Sequence, residues 1–171
     1  MANKYGVIRT DLMRGTDVGA NLVSVRFMGT DGKAAEIENG SVVKLDGLLD
    51  GEREIYKGVT PAKDTNRTAI AIIASPEVLY DERKKNLDEF INEAGTTARG
   101  YILSDRNIFS LTAEALNIAT GVTPAVGYAV ELTAGTKLNV VATATSGSTQ
   151  IGTIKAIEKT GRYTYYVIET V

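Results

Sequence analysis

The sequence predicts an α+β, mainly β protein: an antiparallel β-barrel or meander body, one or two short helices at about 76–94, and an extended N-terminal arm. Three observations predict it. Short β-branched runs separated by glycine-bearing turns recur through most of the chain. A single segment, Ser75 to Gly95, carries helix start and stop signals. Residues 1–34 mix apolar and charged side chains with no sustained period.

The domain partition follows. Residues 1–34 form an arm and first strand, and residues 35–171 form one β-rich domain; two barrel-like halves around the 76–94 helix are an alternative partition. The arm carries Tyr5, Val7, Ile8, Leu12 and Met13, and a solvated tail has little use for five such side chains. It either docks on a surface, its own or a neighbour's, or forms an edge strand of its own core. Asn21–Met28 alternates as a strand, with Val23, Val25 and Phe27 on one face.

Ala34–Leu45 reads as strand, Asn-Gly turn, strand. Glu52–Lys57 is another short strand, and Thr68–Ala74 is a run apolar enough to be buried on both faces. Ser75-Pro76-Glu77 resembles a helix start, with a capping hydroxyl, Pro at the first helical position and acid in the first turn. Leu87, Phe90, Ile91 and Ala94 continue at helical spacing to Gly95, with a weak stretch between Tyr80 and Lys85. Gly100–Ser104 and Asn107–Leu111 are strands around an Asp105-Arg-Asn turn, and Thr112–Asn117 is a helical turn. Tyr128–Leu132, Lys137–Thr143, Gln150–Glu158 and Arg162–Thr170 complete a meander or barrel. Glu36–Leu45 echoes Glu131–Val140, either as corresponding hairpins of one barrel or as chance convergence of two turns.

With 171 residues, 43% hydrophobic and 23% charged, the chain can bury a sizeable core. A formal net charge of −2 gives no basic face for duplex nucleic acid. No Cys and no His are present, which removes disulfides, thiol nucleophiles, and the commonest general base and metal ligand. The start lacks a signal-peptide pattern, and the longest apolar run, Ala69–Ala74, is far short of a membrane span. A cytosol-like site of synthesis is expected.

No phosphate loop, GxSxG elbow, HExxH or CxxC motif occurs, so no catalytic, cofactor-binding or metal residues are assigned and no cofactor is expected. Asp46, Asp50, Glu52 and Glu54 cluster without EF-hand spacing, and read as a solvated turn with Arg53 and Lys57 nearby. Asp81–Lys85 reads as an exposed helix face. Tyr163 and Tyr165 share a strand face, where packing is a commoner use than base stacking.

The segments Ile73-Ala-Ser-Pro-Glu-Val-Leu-Tyr-Asp-Glu-Arg83, Phe90-Ile-Asn-Glu-Ala-Gly95, Ala98-Arg-Gly-Tyr101 and Ile108-Phe-Ser-Leu-Thr-Ala-Glu-Ala-Leu116 resemble a run in small head-region proteins of tailed phages and prophages of Gram-positive bacteria. The resemblance covers about residues 36–132 and carries no catalytic signature. It implies a virion structural protein: a capsid decoration, or cement, protein on the outer surface of the phage head. The implied partner is the major capsid protein, with a homotrimer or other homo-oligomer compatible with three-fold lattice positions and no nucleic acid or membrane partner. The arm is then the first candidate for shell binding, with Tyr5, Ile8, Arg9, Leu12 and Arg14 as anchors.

Rival readings are another virion part (a head fibre base, a head–tail joining or a tail-tube protein), a small-molecule or carbohydrate binding module, and a small hydrolase built on Ser, Lys or Asp. A cleft with convergent titratable groups would favour the last.

Overall fold

The computed structural model describes residues 4–9, 13, 21–81 and 83–171. Five strands close into a barrel: β1 (Leu22–Phe27), β2 (Val42–Leu48), β3 (Ile55–Val59), β4 (Ile70–Ile73) and β5 (Ala98–Ile102), in the order β1-β3-β2-β4-β5. Six more form a second sheet: β6 (Ile108–Thr112), β7 (Leu116–Ile118), β8 (Ala129–Glu131), β9 (Leu138–Val141), β10 (Gln150–Thr160) and β11 (Tyr163–Thr170), in the order β6-β11-β10-β8-β9-β7. The mainly β body is therefore present. Most pairs are antiparallel, while β1 with β3 and β7 with β9 run parallel.

β4 explains how the two sheets meet. All four of its residues are buried, as its unbroken apolar run predicts. Ala71 and Ile73 face the barrel interior with Val25, Val43 and Ala98. Ile70 and Ile72 face outward into a second cluster, with Phe109, Leu111, Leu138 and Ile168 of the other sheet. β2 divides in the same way: Val42 joins the shared cluster and Val43 the barrel interior. The barrel wall made by β2 and β4 is thus the floor on which the second sheet packs.

The barrel is narrow enough to require glycine. A Cβ on Gly58 would lie 2.6 Å from Val25 Cγ1, closer than real carbons approach. In the second sheet, the register of β10 with β11 shifts between Ile154 and Ala156, a bulge that re-aims the long hairpin beyond its core.

Two expectations are corrected. Among the described residues no α-helix occupies 76–94; the segment is irregular around one 3-10 turn, Leu87–Glu89. Tertiary bonds have taken the groups that a helix would use. Ser75 does not cap: its Oγ accepts from Arg99 N at 2.9 Å, and its own N–H donates to Asn39 Oδ1 at 3.0 Å. Asp81 accepts from the N–H and guanidinium of Arg83 in a turn, so the charged run is not a helix face.

The Asn-Gly hairpin is the second. Gly40 takes the left-handed turn, with φ +82°, but the flanks separate. Ile37 bridges to Asn92, and Val42 pairs with Ile72. The echo segments accordingly fall in different sheets, β2 in the barrel and β8–β9 in the second sheet, and are not matching parts of one barrel. The strands expected on either side of the Asp105 turn are both present, and they belong to different sheets: β5 closes the barrel and β6 joins β11. The predicted turn is where the chain crosses between sheets, with Arg106 at φ 60°.

Candidate functional site: the docked N-terminal strand and the neighbouring groove

Residues 4–9 lie on this chain's own body, beside β6. The Thr112 N–H donates to Val7 O at 3.1 Å, the Arg9 N–H donates to Ser110 O at 3.1 Å, and Ile8 bridges Leu111 in antiparallel register. Val7 N–H also donates to Thr112 Oγ1 at 3.1 Å. The segment is an added strand on a sheet edge. Its sequence fits: Val7 and Ile8 retain 1% and 3% exposure, and a Cβ on Gly6 would fall 2.5 Å from Ala115 Cβ. Glycine is needed there for the close approach.

The five proposed anchors are placed unequally. Ile8 belongs to the shared core, so in this state it offers no surface to a partner. Tyr5 is half-buried, with the Lys4 ammonium 4.9 Å from its ring centre. Arg9 lies 5.7 Å from the Tyr165 ring centre and 4.0 Å from Glu158 Oε2. Leu12 and Arg14 fall outside the described residues.

A group that the sequence reading missed holds the arm's start. Asp88, 4% exposed, accepts from Lys4 N–H at 3.0 Å, Arg162 Nη2 at 2.6 Å and the Tyr163 hydroxyl at 2.8 Å. Its backbone carbonyl accepts from Tyr5 N–H at 3.0 Å. Burial penalises the carboxylate, but Lys4 N–H, the Tyr163 hydroxyl and the Arg162 charge outweigh it and hold the pKa below its ordinary value. Burial, then the bond to Asp88, pushes Tyr163 up. Tyr163 and Tyr165 pack together with ring centres 6.0 Å apart. Glu38 secures the middle of the arm, accepting from Gly6 N–H at 3.3 Å while paired with Lys137 at 3.1 Å.

A groove of about 1100 Å³ opens between residues of segment 75–99 and β1. Leu22, Val78, Tyr80, Phe90, Ile91 and Arg99 are among its walls. Its rim is unusually apolar for exposed surface: Leu22 is 44% exposed, Val78 52% and Tyr80 93%. A buried amide network supports the floor. Asn39 Nδ2 donates to Ser75 O at 2.8 Å and Glu77 Oε1 at 3.2 Å, and Asn92 Nδ2 donates to Asn39 Oδ1 at 3.1 Å. Burial pushes the Glu77 carboxyl up despite these bonds.

Elsewhere, Asp46 of the acidic cluster lies in β2 and pairs with Lys44 at 3.0 Å and Lys57 at 4.0 Å. Among the described residues, no group of three His, Cys, Asp or Glu side chains is placed to hold a metal ion. No helix among them is long and apolar enough to cross a membrane.

No family, no curated protein and no solved structure matches this chain.

Proposed function

We propose that the chain is a virion structural protein, specifically a capsid decoration protein that binds the outer surface of a phage head through the major capsid protein. The observation that carries the reading is the position of the resembling segment. Val78 and Tyr80, within the run that resembles phage head-region proteins, are exposed on the wall of a surface groove rather than placed in the core. Large apolar side chains grouped on a surface mark a place that a partner covers. The body behind them is two sheets on one shared core, a rigid support for such a face. Repetition over a lattice would turn modest contacts into high avidity.

The arm remains the second proposed contact. Strand addition is how it holds its own body, and the same main-chain pairing suits a shell edge. Tyr5, Arg9, Leu12 and Arg14 are the proposed anchors, with Ile8 joining them only when the arm leaves β6. Electron microscopy of particles bearing the protein tests the reading. Regular density over the whole head is expected; density at one vertex would replace it with a joining protein.

The groove also favours a second reading, a small-molecule or carbohydrate binding module. Its volume reaches that of ligand pockets, roughly 300–1000 Å³, and Tyr80 offers a ring for stacking. Saturable binding on a glycan array, without binding to capsids, would favour that reading.

A further inference from the structure

We propose that Asp88 is a latch: its carboxylate holds strand 4–9 on the edge of β6, and removing that charge frees the strand while both sheets stay folded. The geometry is a convergence of three segments on one side chain. Lys4 belongs to the arm, Asp88 to the 3-10 turn of segment 75–97, and Arg162 and Tyr163 to the tip of the β10–β11 hairpin. The two carboxylate oxygens divide the work. Oδ2 takes the arm's N–H, and Oδ1 takes both hairpin donors. A single group therefore ties the arm, the 3-10 turn and the hairpin together.

Chemistry makes this the controlling contact of the arm. Its bonds to β6 are neutral, whereas hydrogen bonds to an ionised acceptor are roughly twice as strong; the arm's main-chain bond to another carboxylate, Gly6 N–H to Glu38, is longer at 3.3 Å and single. Lys4 N–H ends on the Asp88 carboxylate and Tyr5 N–H on its backbone carbonyl, so the first two described amides of the arm meet at one residue. The donors also sit where water can replace the carboxylate. Lys4 is exposed and the Arg162 side chain is 41% exposed. Removing the carboxylate therefore strands no deeply buried cation, and the opening stays local.

The interior reason is equally local. Val7 and Ile8 are buried residues of the arm, and Ile8 joins a cluster built mainly from the two sheets. β4 and β11 do not need the arm for their ladders. When the strand leaves, Ser110 O and Thr112 N–H are released, and β6 becomes an open edge that can accept another strand. The latch concerns the free protein, so it stands or falls apart from the virion reading.

The experiment is hydrogen exchange on the full chain, read at the amides of residues 5–9 and, as an internal reference, at Ile70–Ile73. Asp88→Asn keeps the shape but turns an amide toward Arg162. Exchange at 5–9 is expected to rise at least about tenfold, with the β4 amides unchanged. Tyr163→Phe removes one donor and leaves the charge. It should produce a smaller rise confined to 5–9, and keeps the test open if Asp88→Asn does not fold. The proposal is overturned if exchange at 5–9 stays at the wild-type rate in the variants that fold. It is equally overturned if 5–9 and 70–73 accelerate together, because Asp88 would then support the whole fold rather than latch one strand.

Discussion

Ile72 and Ile73 are adjacent in sequence and lie in different cores. Ile73 is inside the barrel beside Val25, while Ile72 meets Phe109 and Leu111 of the second sheet. Both are fully buried, so β4 is a wall between two interiors rather than the usual boundary between core and water. Truncation of either to Ala should cost about 2–5 kcal/mol in urea unfolding. The two should differ in where they loosen the protein. Ile72→Ala should speed amide exchange in β6 and β11, and Ile73→Ala in β1 and β5. Identical exchange patterns would refute the two-core description.

Gly58 and Val25 form the tightest contact of the barrel interior in which a side chain is missing by necessity. Gly58→Ala should destabilise by about 1–3 kcal/mol. Adding Val25→Ala should recover part of that loss, because the clashing methyl group is gone. Simple additivity of the two losses in a double-mutant cycle would contradict the packing argument.

Asp88 sets a pH dependence with a definite sign. Its pKa in the fold lies below the ordinary value of 3.8. The stabilisation it provides is therefore complete above that ordinary value and is lost as pH falls through the lower, folded value. Wild-type stability should drop in acid over a range where Asp88→Asn is flat by comparison. Parallel pH curves for the two proteins would show that Asp88 titrates identically in the folded and unfolded chain.

Glu77 predicts the opposite sign. Burial raises its pKa above 4.5, so the ionised form is a cost in the fold that disappears on protonation. Glu77→Gln keeps an acceptor for Asn39 Nδ2 and removes the charge. It should raise the melting temperature at neutral pH, and the gain should vanish in acid. A variant less stable than wild type at pH 7 would mean that the charge itself is needed.

Tyr80, 93% exposed, isolates surface function from folding. Tyr80→Asp should leave the melting temperature unchanged and lower occupancy on phage heads, as counted by microscopy. Full occupancy would remove the groove rim from the proposed capsid contact.

Much of the body was legible in the local pattern. Apolar alternation and glycine turns gave β8 to β11 nearly residue by residue, and the run Thr68–Ala74 announced burial on both faces, which holds from Ile70 to Ala74. The candidate site was less legible. The arm's apolar content marked Tyr5, Val7 and Ile8, yet Asp88 stood in a charged stretch with nothing to distinguish it. Its partners lie 84, 74 and 75 residues away, and no local period encodes such separations. Its pull on the 3-10 turn, together with that of Asn39 and Arg99 on Ser75, also displaced the expected helix.

The sequence by itself determined that the chain makes strands, where most of them lie and which apolar runs are buried, because those follow from side-chain period and turn chemistry within a few residues. The tertiary structure alone decided the partners: Val42 with Ile72 instead of a hairpin, Ile8 with Leu111, and Asp88 with Lys4 and Arg162. The physical reason is that a strand's edge bonds and a buried carboxylate's donors are satisfied by whichever groups the whole fold brings near. That choice is made between distant segments competing for the same contact.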